Sequence, residues 1–168
     1  PLDQFALGAA AAGDTLLTVV QDGTPCYGRG TLIRTPRGET PVEDLAIGDL
    51  VETATNGPRP VRWIGRRAYS GQFAHGNRDV LPVIFRKGSL GDGLPHTDLS
   101  VSPLHAMFID GLLLPAAALV NGESILQAAN MDAVKYFHIE LETHDIIFSN
   151  GAPSQTFLAD QYRAMFPN

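Results

Sequence analysis

The 168-residue chain holds a single cysteine, Cys26, and that scarcity narrows its chemistry. One thiol cannot close an internal disulfide, and thiolate metal sites need several, so Cys26 is either an inert buried group or a reactive one. Basic residues are also in deficit: 12 Lys and Arg against 18 Asp and Glu leave a formal charge of −6. That balance argues against a nucleic-acid partner, whose phosphates require a basic surface. Long apolar runs are missing too. No stretch nears the roughly 18 residues a membrane span requires, and no basic segment precedes the alanines at 9–12 as it would in a secretory signal. Pro1 is not an initiator, so the chain is expected to be cut from a longer polypeptide. The compartment stays open.

Turn chemistry is what the chain has in quantity. Its 17 glycines and 12 prolines are spread along a sequence that is 44% hydrophobic and 18% charged. This is the composition of a globular, all-β domain of short strands with little helix. One well-buried domain suffices at this length. Residues 1–24 read as the tail of an upstream module plus linker, with a strand at Thr15–Val20. Residues 25–158 are the domain proper, and 159–168 are a tail, with a short helix expected over Leu158–Phe166.

Within the domain the turn signals divide the chain finely. Thr31–Thr35 reads as a strand, Pro36-Arg37-Gly38 as a turn, Pro41–Leu45 as one acidic helical turn and Leu50–Thr53 as a strand. Asn56-Gly57-Pro58 is a hairpin turn leading into a basic strand over Arg59–Tyr69. Val80–Phe85 is a strand between loops at 70–79 and 86–98. Further strands are expected at Leu99–Ser102, His105–Ile109, Leu112–Leu114, Ser124–Gln127, Val134–Glu142 and Ile146–Phe148, with a helical turn at Pro115–Leu119. Shifting the sequence by 74 residues pairs Pro41 with Pro115, Leu45 with Leu119, Gly48 with Gly122, Asp49 with Glu123 and Val51 with Ile125. The same helix–turn–strand unit falls into register, which implies a duplicated β subdomain with pseudo-twofold symmetry. Ser102 and His105 would then flank the pseudo-axis near Cys26.

Three groups of residues could carry chemistry. A thiol is a strong nucleophile once a base or a positive setting ionises it, although a lone cysteine is commonly just a small buried hydrophobe. Gly28 and Gly30 next to Cys26 permit a tightly folded loop. In Ser102-Pro103-Leu104-His105 the proline bends a strand end, which would turn Ser102 and His105 to one side. Histidine can accept and deliver a proton near neutrality; the plainer reading is a serine turn followed by a part-buried histidine. On a strand over Tyr136–Glu142, His138, Glu140 and Glu142 share one face, and Phe137, Ile139 and Leu141 form the core face. His138 and His144 could assist catalysis. Zinc uses such side chains, but no compact His-x-x-x-His pair is present, so no metal is expected. His75 and His96 read as solvated loop residues.

Taken together, these blocks resemble a known family. CYGRGTLIRTPRGETPVEDLAIGDLVET, from Cys26, is similar to the opening block of the Hint (hedgehog/intein) fold. DLSVSPLHAMFIDG, from Asp98, resembles its Thr-x-x-His block with Ser102 in place of Thr, and YFHIELETHDIIFSNG, from Tyr136, resembles its closing block. The details are closest to bacterial Hint-type domains attached to large secreted or surface proteins. The resemblance implies an all-β horseshoe with pseudo-twofold symmetry. It also implies autoprocessing of the Pro25-Cys26 bond through an N-to-S acyl shift. Cys26 would be the nucleophile, His105 the acid for the departing nitrogen and Ser102 the group that orients the amide. His138 stands where relatives carry an assisting Asp or Cys, and His144 and Asn150 are supporting candidates. The substrate would be the upstream segment of the same polypeptide, the acceptor water or an external amine or thiol, and no cofactor is implied. Gly151 is followed by Ala-Pro-Ser-Gln-Thr-Phe rather than a cyclising His-Asn pair, so cleavage without full splicing is expected. Pro25 crowds the carbonyl under attack. The alternative is a Hint-fold scaffold or interaction module that no longer cleaves; a third is a cysteine hydrolase acting in trans.

Overall fold

Short strands punctuated by Gly, Asn, Asp and Pro can satisfy their backbone only by pairing with near neighbours, and antiparallel ladders result. The computed structural model describes residues 5–9, 15–19, 25–71 and 74–157. Its first strands are β1 (Phe5–Ala9), β2 (Thr15–Val19), β3 (Tyr27–Gly28), β4 (Leu32–Thr35), β5 (Gly38–Pro41), β6 (Leu50–Thr53), β7 (Gly57–Pro60) and β8 (Trp63–Ser70). There follow β9 (Val83–Phe85), β10 (Leu99–Val101), β11 (Ala106–Ile109), β12 (Leu112–Pro115), β13 (Ile125–Gln127), β14 (Ala133–Glu140), β15 (Ile146–Ser149) and β16 (Ala152–Gln155). Among the described residues β1 and β2 pair only with each other. The expected helix over Leu158–Phe166 lies outside the described residues.

Two hairpins show how local sequence builds the ladders. Asp110-Gly111 has φ of 49° and 83°, and Asn150-Gly151 has 47° and 82°. Both residues of each turn are therefore left-handed, the turn whose twist suits antiparallel strands. They fix the registers Ile109↔Leu112 and Ser149↔Ala152. The second hairpin also creates β16, a strand that sequence reasoning had left out.

The internal repeat is present in the structure. β4 and β5 recur 74 residues later as β11 and β12, with the same lengths. Each second strand ends at a proline of nearly identical backbone angles, φ −55° and ψ 137° at Pro41 and φ −55° and ψ 136° at Pro115, opening a 3₁₀ turn. Those turns cover Val42–Asp44 and Ala116–Leu119, and each buries its first residue against the core. Proline at this place pre-sets φ for the turn and lacks an N–H that would need a partner. Tyr27 pairs with Val101, its own 74-residue counterpart, so the pseudo-axis runs between β3 and β10.

One sheet has the order β13-β9-β10-β3-β14-β8; the other runs β12-β11-β16-β15-β4-β5, with the β6–β7 hairpin joined through β15. One apolar core, including Ile33, Val51, Val83, Phe85, Leu99, Met107, Ile139 and Ile147, packs between them. Two expectations change here. The basic strand at Arg59–Tyr69 is broken into β7 and β8, because Val61 N–H bonds Asp49 while Arg62 N–H bonds Glu140, and the chain changes sheet between them. β14 does not alternate core and solvent as its pattern suggests: every residue from Tyr136 to Leu141 is buried. Trp63 and Phe157 rings lie against its second face, and of His138, Glu140 and Glu142 only Glu142 reaches solvent, where it pairs with Arg62 at 3.5 Å.

Candidate active site

Cys26 sits where three strands meet. The two residues after it form β3, wedged between β10 and β14, with Tyr27 opposite both Val101 and Phe137. Space between these strands is tight: a β-carbon on Gly28 would fall 2.7 Å from Ser100 Oγ and 2.9 Å from its carbonyl oxygen, so only glycine fits. The β10 ladder continues one residue past the strand. Ser102 N–H donates to the Cys26 carbonyl at 3.0 Å, and Cys26 N–H donates to Ser102 Oγ at 3.0 Å. A serine placed there therefore grips the amide nitrogen that precedes the thiol.

On the other side, His138 of β14 brings Nε2 to 3.1 Å from Cys26 Sγ. The Pro25 carbonyl, the only polar backbone group proline offers, lies near enough to the same ring to favour its protonated form. Sulfur, carbonyl and amide nitrogen of the Pro25-Cys26 junction are thus each met by a side chain. The thiol is buried among Ala74, Val134, Tyr136 and Tyr69, and burial pushes it up to about 12; the Ser102 hydroxyl and the Arg67 charge offset this only in part. Burial also drives His138 down to about 4, opposed by the Pro25 carbonyl and reinforced by Arg67. At neutral pH the pair is a thiol and a neutral imidazole rather than an ion pair.

His105 is fully buried, its ring centre 4.4 Å from that of Tyr27 and the two planes at 61°. Its backbone N–H bonds the Ser102 carbonyl at 3.1 Å, while neither ring nitrogen has a hydrogen-bond partner among the described residues. Burial, with a contribution from His138, holds it down at about 3. The Tyr27 hydroxyl continues inward to Ser154 Oγ at 3.0 Å and Ser149 Oγ lies 2.9 Å beyond, a buried row of hydroxyls under the site.

Cys26, Ser102 and His138 are therefore in contact, with His105 joined to them through Tyr27 and Ser102. Two other candidates lie elsewhere. His144 is exposed and lies beside Gln155, away from the thiol. Asn150 accepts from Leu32 N–H at 2.7 Å and donates to the Asp98 carbonyl at 2.9 Å, tying β15 to β4 and to the loop before β10. His96 is not simply solvated: it meets Glu39 at 2.7 Å. Among the described residues no group of three metal-ligating side chains converges. Sequence reasoning missed Arg67, Trp63 and Phe157. Arg67 stands opposite Tyr136 with its guanidinium 4.9 Å above the Tyr69 ring, and its charge reaches both Cys26 and His138. No periodicity marks it, because its relation to the thiol arises from strand register.

A family profile for the Hint domain matches residues 25–161, beginning one residue before the thiol. The chain belongs to the Hint domain family. No curated protein sequence matches this Hint domain. Solved structures share its fold. The bacterial intein-like domain from Clostridium thermocellum superposes with a TM-score of 0.58 at 14% identity, covering 79% of this chain and 98% of that one. The gp41-1 intein gives 0.55 at 15% identity, covering 77% and 97%. A DnaB intein from Synechocystis gives 0.53 at 9% identity, covering 80% and 99%.

Proposed function

We propose that this Hint domain breaks its own Pro25-Cys26 peptide bond once, by an N-to-S acyl shift, and releases the upstream segment without splicing. The observation that carries the reading is His138 Nε2, 3.1 Å from Cys26 Sγ and beside the Pro25 carbonyl; Nε2 takes a proton from sulfur first and donates to the carbonyl oxygen only afterwards. His138 takes the thiol proton as sulfur bonds the Pro25 carbonyl carbon, and the resulting imidazolium then faces the oxyanion it has helped to form. Collapse of that intermediate expels the Cys26 nitrogen, to which His105 passes on the proton that His138 took from the thiol, so that both imidazoles end neutral. Ser102, 3.0 Å from that nitrogen, holds it in place during the exchange. The product is a thioester between the Pro25 carbonyl and Sγ, with a free amine on Cys26. Water, or an external amine or thiol, attacks the thioester, releases the segment ending at Pro25 and restores the thiol. A fully buried imidazole without ring partners costs about 1–3 kcal/mol per unsatisfied group, which supports a ring held in reserve for the departing amine.

The test is to follow tagged protein, carrying its natural upstream sequence, by gel and intact mass, with and without dithiothreitol or hydroxylamine. A fragment beginning at Cys26 is expected, formed faster with thiol and absent in Cys26→Ala. His105→Ala is expected to slow thiol-induced cleavage about 100-fold or more, the scale of a lost general acid. A chain that stays whole under every condition would replace this reading with that of a Hint-fold scaffold.

A further inference from the structure

His138 is held from behind by residues that the proposed chemistry does not use. In the β8–β14 ladder Gly65 stands directly opposite His138, and Trp63 opposite Glu140. Directly paired residues project to the same side of a sheet, as do alternate residues along one strand. The cross-strand neighbour of His138 should therefore be the side chain of residue 65, and glycine has none. The slot is filled instead by Trp63, whose indole folds back along its own strand. A β-carbon on Gly65 would fall 2.7 Å from Trp63 Cζ3 and closer still to Cη2, so the six-membered ring of the indole occupies the space that glycine vacates.

A third ring closes the arrangement. Phe157 is brought beside β14 by its N–H, which donates to the Ile139 carbonyl at 2.8 Å. The ring centres lie 6.4 Å apart for Trp63 and His138, 5.6 Å for Phe157 and His138, and 5.8 Å for Trp63 and Phe157. The terminal torsion of a histidine is broad and roughly two-fold. Walls on two sides select the orientation that presents Nε2 to Cys26.

We propose that Gly65 and Trp63 are positioning residues: the glycine makes room for the indole, and the indole with Phe157 fixes the ring of His138 against the Pro25-Cys26 bond. For catalysis this rests on the autoprocessing reading; for geometry it does not. The experiment is a double-mutant cycle with Gly65→Ala, Trp63→Ala and the pair, adding Trp63→Phe as the variant closest to native packing. Two readouts are taken on the full chain. The first is the NMR titration and tautomer ratio of the His138 ring, which needs no cleavage. The second is the rate of dithiothreitol-induced cleavage.

Trp63→Ala is expected to raise the His138 pKa from about 4 by a unit or more toward its ordinary 6.5, as water reaches the ring, and to slow cleavage about tenfold or more. Gly65→Ala should do the same by displacing the indole, yet add little on top of Trp63→Ala, since both act through one ring. Trp63→Phe should fall between wild type and Trp63→Ala. If Gly65→Ala fails to fold, the two Trp63 variants decide the matter. An unchanged His138 titration in folded Trp63→Ala, or fully additive effects in the pair, would overturn the inference. A chain that never cleaves but shows the NMR shifts would sink the autoprocessing reading and leave the positioning role standing.

Discussion

Cys26 and His138 are 3.1 Å apart, yet burial has moved both away from the charged forms that a ready nucleophile would use. The thiol is pushed up to about 12 and the imidazole down to about 4, so neither carries charge at neutral pH. In the proposed cleavage the thiolate therefore forms within the attacking step, with His138 accepting the proton as sulfur bonds carbon. A pH–rate profile tests this, using dithiothreitol concentrations that no longer change the rate. Cleavage should be nearly level from about pH 5.5 to pH 8 and fall through about pH 4 as His138 protonates and loses its lone pair. A rate rising tenfold per pH unit across neutrality would instead indicate a thiolate formed beforehand. Cys26, Ser102, His105 and His138 could all be picked from the sequence, because thiol, hydroxyl and imidazole declare their chemistry. Arg67, Trp63 and Phe157 could not. An arginine on a basic strand looks like a solvated one, and nothing in Trp63-Ile64-Gly65 says that the indole turns back over the glycine.

The site depends on strands joined by few bonds. β3 is two residues long, and the β15–β16 hairpin ties β4 and the loop ahead of β10 to it through Asn150. Asn150→Ala removes the acceptor for Leu32 N–H and the donor to Asp98, at a left-handed φ of 47° that alanine tolerates poorly. A loss of about 2 kcal/mol or more is expected in urea unfolding, while thiol-induced cleavage of the folded fraction persists. A stable variant with cleavage abolished would instead give Asn150 a chemical role. Most strands were legible from their turn residues, and the two 3₁₀ turns from proline followed by a short apolar or acidic run. The break at Val61–Arg62 was not, since it records a change of hydrogen-bond partner from Asp49 to Glu140. The burial of both faces of β14 was hidden for a similar reason: Trp63 and Phe157 come from elsewhere in the chain.

At the scale of the molecule, buried titratable groups couple folding to pH from both sides. His105 and His138 are held at about 3 and about 4, below their ordinary 6.5, so the folded state resists protonating them. Their stabilising effect is present above pH 6.5 and is lost as pH falls toward 4 for His138 and toward 3 for His105, at about 1.4 kcal/mol per pH unit for each histidine. Cys26 is raised from 9.0 to about 12, so its share is present below pH 9 and is lost as pH rises toward 12. Burial also raises the Tyr27 and Tyr136 phenols. Urea midpoints should therefore be highest between about pH 6.5 and 9. The acid arm should be shallower in His105→Asn and His138→Asn, and an acid arm unchanged in both would show that other groups set it.

By itself the sequence determined the fold class and the 74-residue repeat, and it named the reactive side chains of the candidate site. Turn residues, apolar patterning and reactive side chains are local properties, and each can be read where it stands. Tertiary structure decided which face of β14 is buried, that thiol and imidazole meet uncharged, and that an indole and a phenyl ring hold His138. Those outcomes depend on strand register and exclusion of water, which join residues far apart in the chain. Cys26 was recognisable from its type and neighbours, but the state of its proton followed only from what packs around it.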